Sequence, residues 1–376
     1  MGASIIVYYL LFVTIGYTGV STGPTLPTLA AQTGSTISQI SIIFSARSVG
    51  GLIGSLWVSR LFDKISGHKL LALVSGALAV LMFFTPLIPS LSLLGMLMVL
   101  LGLSEASIDI GGNTLLIWLY KDKAASYLNG MHLMFGIGAV IAPLVVAQIL
   151  LRTGGIKWVF WLISIAPLIL MVILLKIPSP EKNIKKESES VKFEGGVIVL
   201  ALFFYAYVAA EVAYGGWIYT YTVATNLADD VTAAYFNSAF FLALTIGRII
   251  SIPMATRFRL YKIVQWNFIG AFISMAILIA GRELTEALLI GSIGLGLSFA
   301  SMFPSMLSIA DKYLGVSGKI MGWFFAASSL GAMTVPWLIG QLFESVGPQS
   351  FIWSILVVLV ISLVSFISFE KKYVRI

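Results

Sequence analysis

Read from end to end, the chain alternates apolar runs of membrane-spanning length with short breaks that hold nearly all of its charge. A helix needs about 20 consecutive apolar residues to cross the hydrocarbon core of a bilayer. Runs of that kind lie near residues 3–31, 36–62, 68–88, 91–119, 124–151, 157–177, 195–226, 232–257, 262–281, 286–311, 317–343 and 349–369. Only 10% of the residues are charged and the mean hydropathy is +1.00, where a soluble domain carries about 25% charge. In lipid a spanning segment must satisfy its own backbone, which leaves the helix as the form for runs this long. The expected fold is all-α: twelve transmembrane helices in two six-helix bundles.

Charge placement sets the expected orientation. With twelve spans, the breaks on one side hold Arg60, Lys64, Lys69, Lys121, Lys123, Lys176, Arg257, Arg259, Lys262, Lys312, Lys319 and the basic residues of the central break and C-terminal end. The other side holds Arg152, Lys157 and Arg282. Basic loops stay in the cytoplasm, so both termini are expected there, in a plasma or bacterial inner membrane. The first run lacks a basic leader and is read as a retained span. The net charge of +7 is loop charge and does not indicate a nucleic-acid partner. The polar stretch 178–194, PSPEKNIKKESESVKFE, has the composition of a solvated linker. It divides the chain into expected domains 1–177 and 195–376.

The halves repeat. Gly102–Ser107 reads GLSEAS and Gly296–Ser301 reads GLSFAS; Gly138–Pro143 reads GAVIAP and Gly331–Pro336 reads GAMTVP. The offsets are 194 and 193 residues. Duplicated halves with a binding site at their interface are a recurrent transporter plan. The repeat places Glu105 opposite Phe299 and Glu211 opposite Thr14, so the polar chemistry differs between halves.

Six ionisable residues fall inside the apolar runs: Arg47, Glu105, Asp109, His132, Glu211 and Arg248. Each charge at the bilayer centre costs roughly 2.5–3.5 kcal/mol on insertion scales. Glu105, Asp109 and Asn113 are spaced by four, which puts them on one stripe of a helix. Three acids against two arginines leave one excess negative charge, a balance suited to binding a cation or proton. Asp109 is the expected coupling acid, oriented by Asn113 and His132, with Arg47 exchanging between Glu105 and Asp109 and with Glu211 as a further coupling acid. The plainer readings are that Arg47 is a structural ion pair, that Arg248 snorkels to the cytoplasmic face, and that His132 satisfies a polar neighbour. No nucleophile–base pair, metal-ligand spacing or phosphate loop occurs, so an enzyme is not expected and neither is a cofactor.

Several stretches carry a resemblance that covers the whole chain. The break Arg60-Leu61-Phe62-Asp63-Lys64-Ile65-Ser66-Gly67-His68 resembles the signature cytoplasmic loop of the major facilitator superfamily. Ser107–Asn113 (SIDIGGN) resembles the fourth-helix acid-x-x-x-Asn motif of the fucose–proton symporters. Met131–Gly136 (MHLMFG), with Gly138-Ala139 and Pro143, resembles the fifth helix of the sodium-dependent glucose transporter-like proteins. Tyr207–Gly216 (YVAAEVAYGG) resembles their seventh helix. The resemblance implies the two-bundle fold, alternating access, a cavity lined by the first, fourth, seventh and tenth helices, and cation-coupled sugar uptake. The fucose permease pattern also has an acid in the first helix, and this chain has none there.

On that implied substrate, flat aromatic rings and polar neighbours are the expected sugar contacts: Tyr17, Tyr214 and Trp217 first, then Tyr207, Trp323 and Asn113. Arg60, Asp63 and Lys64 are the expected cytoplasmic latch. The expected activity is symport of a small polar solute, a monosaccharide, with H+ or Na+, by a monomer in the lipid bilayer. The rival is an exporter of amphiphilic compounds in the same fold, with a non-transporting membrane sensor ranked below it.

Overall fold

The computed structural model describes residues 2–121, 124–181, 195–314 and 318–374. Helices account for nearly all of them. Contacts divide the chain into two units, Met1–Lys185 and Lys186–Ile376.

The first unit contains α1 (Gly2–Thr33), the short α2 (Ile37–Ile40), α3 (Ile42–Lys64), α4 (Gly67–Phe84), α5 (Leu91–Tyr120), α6 (Ala124–Thr153) and α7 (Lys157–Lys176). The second contains α8 (Gly195–Ala224), α9 (Asp230–Arg257), α10 (Leu260–Ala280), α11 (Thr285–Phe299), α12 (Met302–Leu314), α13 (Gly318–Ser345) and α14 (Ser350–Phe369). Among the described residues, 12 segments are long and apolar enough to cross a membrane. Their outer faces are apolar too: Leu73 is 69% exposed and Met96 66%. Such faces suit lipid as the surrounding solvent.

Two spans are divided. A capping box at Thr36 and Gln39 starts α2, and the chain turns at Ser41 before α3. The tenth span, expected as one run over 286–311, is interrupted at Ala300 and Ser301 between α11 and α12. Pro304 lies just beyond, and its missing N–H removes a hydrogen bond to the preceding turn. Ser301 is held from outside the span, accepting from Asn267 Nδ2 at 2.7 Å.

The same pairings build both units. In the first, α3 packs along α5 and α1 along α6; in the second, α9 packs along α11 and α8 along α13. The repeated glycines sit at these crossings. A methyl group on Gly102 would stand 1.9 Å from the Arg47 carbonyl oxygen, and one on Gly296 2.4 Å from that of Phe240. Likewise Gly138 would meet the Val13 carbonyl oxygen at 2.1 Å, and Gly331 that of Tyr205 at 2.1 Å. The duplicated motifs are therefore places where helix backbones touch, which only small residues allow.

One ring ties the first unit together. His68, at the start of α4, is 2% exposed. Its Nδ1 lies 3.1 Å from the Ile177 carbonyl beyond α7, and its Nε2 lies 2.6 Å from the Tyr8 hydroxyl of α1. A carbonyl only accepts, so Nδ1 carries the proton and Nε2 of the neutral ring accepts from Tyr8.

Candidate functional site

The first unit holds a dense polar cluster where α1, α3 and α5 meet. Arg47 makes a two-pronged contact with Glu105: Nε donates to Oε2 at 2.8 Å and Nη2 to Oε1 at 2.5 Å. Both side chains are 14% exposed. The first helix completes the shell. Thr18 donates to Glu105 Oε1 at 2.5 Å, while Arg47 Nη1 donates to Thr22 Oγ1 at 2.6 Å and to the Gly19 carbonyl at 3.2 Å. Planar guanidinium and carboxylate groups match in this way, and bidentate contact is stronger than a single neutral bond. Thr18 and Thr22 were not picked out as site residues in the sequence. The signal was present: they are four apart, on one face of α1.

One turn further along α5, Asp109 has a different partner. Asn113 Nδ2 donates to Asp109 Oδ1 at 2.9 Å and to its carbonyl at 2.8 Å. No arginine, lysine or histidine of the described residues forms an ion pair with Asp109. The i, i+4 stripe expected from spacing is thus real, but of its two acids Arg47 pairs with Glu105 and not with Asp109. His132 packs edge-on against Phe12, with ring centroids 5.8 Å apart. Phe12 also fills the space beside Gly112, where a methyl group would stand 2.7 Å from its ring. So Phe12 of α1 bridges the Asn113 region of α5 and His132 of α6.

In the second unit Arg248 Nη2 lies 3.6 Å from Glu211 Oε1. Arg248 is 35% exposed and also faces the carboxylate on α8. The Tyr207 hydroxyl contacts Glu211 Oε2 and lies 2.8 Å from the carbonyl oxygen of Phe299, the last residue of α11 before the interruption. Each unit therefore has an arginine–glutamate pair that joins two of its helices, α3 with α5 in the first and α9 with α8 in the second.

The aromatic residues divide sharply. Tyr17 donates to the Val159 carbonyl at 2.9 Å, Tyr214 meets Ser292 Oγ at 2.7 Å, and Trp217 Nε1 donates to the Pro336 carbonyl at 3.0 Å. All three, with Tyr207, are buried within their own units. Their polar tips are engaged by neighbouring helices, so as placed here they act as packing. Trp323 is half exposed, and Lys64 is exposed. The side chains of Arg60 and Asp63, expected with Lys64 as a latch, lie outside the described residues. No group of three or more metal-ligating side chains gathers among the described residues.

Twelve spans in two like-built units, each with a charge pair set between its membrane-spanning helices, define a multi-pass membrane transport protein. The sequence profile of the Major Facilitator Superfamily matches residues 8–333, and the chain belongs to that family. It is 31% identical over 353 residues to sodium-dependent glucose transporter 1 of Xenopus laevis, covering 85% of this chain and 72% of that protein. To the Homo sapiens protein of the same name it is 27% identical over 371 residues, covering 88% and 72%. Among solved structures, the nucleoside transporter NupG superposes with a TM-score of 0.79 at 14% identity, covering 98% of this chain and 99% of that one. An inward-facing bacterial homolog of the human lysosomal transporter Spinster gives 0.75 at 15%, covering 99% and 96%. These two likenesses concern the fold. The family is one of transporters rather than enzymes, and its members need no cofactor.

Proposed function

We propose that the protein is a cation-coupled symporter that takes up a small neutral polar solute, a monosaccharide, by alternating access. The observation that carries this reading is the charge count. Of three acids within the spans, Glu105 is neutralised by Arg47 and Glu211 faces Arg248, which leaves Asp109 with an amide for a partner. An ionised carboxylate without a counter-charge is costly inside a bilayer. A proton or Na+ arriving from water relieves that cost, and Asn113 fixes the carboxylate that receives it. The relatives' names, sodium-dependent glucose transporter, support both halves of the proposal. Asn113 and Trp323 remain the sugar contacts we favour, because Tyr17, Tyr214 and Trp217 spend their polar atoms within the fold. We place both termini and the 178–194 linker in the cytoplasm on the basic-loop asymmetry.

The test is counterflow and accumulation of labelled monosaccharides in proteoliposomes under imposed H+ or Na+ gradients. Asp109→Asn should abolish gradient-driven accumulation and leave exchange in place. Unchanged accumulation removes Asp109 from the coupling role. Saturable movement of an organic cation, with no sugar moved, replaces the symporter by an exporter.

A further inference from the structure

A cavity of about 760 Å³ opens in the second unit, at the end where α9 gives way to α10 and α12 finishes. It is far along the chain from Asp109 and has no role in the proposed coupling. Its rim carries Arg259, Lys262 and Lys312, with the rings of Tyr261 and Tyr313 between them. The cations are exposed, and none of the three forms an ion pair among the described residues. Arg259 Nη1 donates to the Tyr261 hydroxyl at 3.2 Å, and Lys312 Nζ lies 5.4 Å from the Tyr313 ring centroid. Arg259 is thus held by a phenol oxygen and Lys312 over a ring, and both keep their remaining donors for a ligand.

The lining also includes a buried acid. Glu370 is 4% exposed, and its carboxylate accepts from Gln265 Nε2 at 3.0 Å. Three cations against that one acid leave the lining with a surplus of positive charge. The setting is interfacial: Phe258 on the rim is 47% exposed and Trp266, in the second turn of α10, 42%. Their rings stack edge-on with centroids 5.0 Å apart, forming an apolar wall beside the cations. Basic side chains over an apolar wall at the ends of spans match a lipid, whose phosphate faces the cations and whose chains lie along the wall.

We propose that this cavity binds the phosphate headgroup of an anionic membrane lipid. The site lies wholly in the second unit and depends on the protein's residing in a membrane, not on which solute it carries. Failure here would leave the symport reading untouched, and failure of symport would leave this site in place.

The experiment reconstitutes the full chain in nanodiscs of phosphatidylcholine with phosphatidylglycerol and measures retained lipid by native mass spectrometry. Wild type should keep phosphatidylglycerol preferentially. Each cation near a charged headgroup contributes roughly a fivefold preference, so Arg259→Gln, Lys262→Gln and Lys312→Gln together should lower the retained fraction by at least tenfold. A control with Lys69→Gln and Lys176→Gln, both in the first unit, should match wild type. All these side chains are exposed, and a monodisperse elution profile confirms that the variants fold. Equal retention by the triple variant and wild type overturns the site. Displacement of the lipid by millimolar inorganic phosphate, at the same three residues, makes it a soluble-phosphate site and overturns the lipid assignment.

Discussion

The hydroxyl of Tyr207 contacts the carboxylate of Glu211, one turn away on α8, and stands 2.8 Å from the carbonyl of Phe299 at the interruption of the tenth span. A phenol has one proton to give and these are two acceptors. With Glu211 ionised, the proton is shared between the carboxylate and the helix end. With Glu211 protonated, its own hydroxyl can donate to Tyr207, and Tyr207 then donates fully to Phe299. The charge state of one acid is in this way coupled to the hydrogen bonding of a broken helix.

Replacing Tyr207 by Phe keeps its stacking on Phe203 and removes the proton. Two acceptors lose a donor, at about 1–3 kcal/mol for a buried group left unsatisfied. The midpoint of thermal unfolding in detergent should fall accordingly. Combining it with Glu211→Gln should cost less than the sum of the two single changes, as expected for residues in one network.

The Arg47–Glu105 pair makes a sharper prediction. Removing one partner leaves a buried charge unopposed, at roughly 3–5 kcal/mol. Arg47→Met and Glu105→Leu should each lower the unfolding midpoint strongly, and the double variant should recover much of the loss. A double variant as unstable as the sum of the singles would mean that Thr18 and Thr22, not the ion pair, hold this corner.

Glycines on one helix should differ completely in tolerance. Gly102→Ala puts a methyl group 1.9 Å from the Arg47 carbonyl, whereas Gly95, two turns earlier on α5, has nothing within 4 Å of the added group. Gly102→Ala should reduce folded yield, and Gly95→Ala should raise stability by up to about 1 kcal/mol through helix propensity. Yield and unfolding temperature of the two variants, measured side by side, decide it.

Acid should loosen the start of α9. Asp229 caps that helix, with the Thr232 N–H donating to Oδ1 at 2.8 Å. The Thr232 side chain and backbone hold the Asp229 carboxyl below the ordinary aspartate value. A lowered folded-state value stabilises above the unfolded value and is lost as pH falls through the folded one. The contribution should therefore be intact near neutral pH and vanish well below about pH 4. Asp229→Ala should cost about 1 kcal/mol at neutral pH, and the gap between the two proteins should close in acid.

The spans, the repeat and the charged stripe of α5 were legible in the sequence because they depend on local spacing alone. A run such as Phe351–Phe369 needs no partner to be read as a helix in lipid, and Asp109 and Asn113 meet because they are four residues apart. What was not legible depends on helix rotation. Arg248 turns to Glu211 on a neighbouring helix, a choice its own flanks do not reveal. Tyr17, Tyr214 and Trp217 showed amphipathic rings suited to a sugar; the sequence did not show that Val159, Ser292 and Pro336 stand across from their polar tips. The interruption at Ala300 was signalled only by Pro304, and prolines inside α1, α6 and α13 leave those helices unbroken.

The imidazole of His68 joins the opening helix of the first unit to the segment that leaves its final one. A bundle fastened at both of its ends by a single side chain is closed like a clasped bracelet. Unravelling past either tie must first break a hydrogen bond to one buried ring, and severing the polypeptide after that clasp should release a half that keeps its shape.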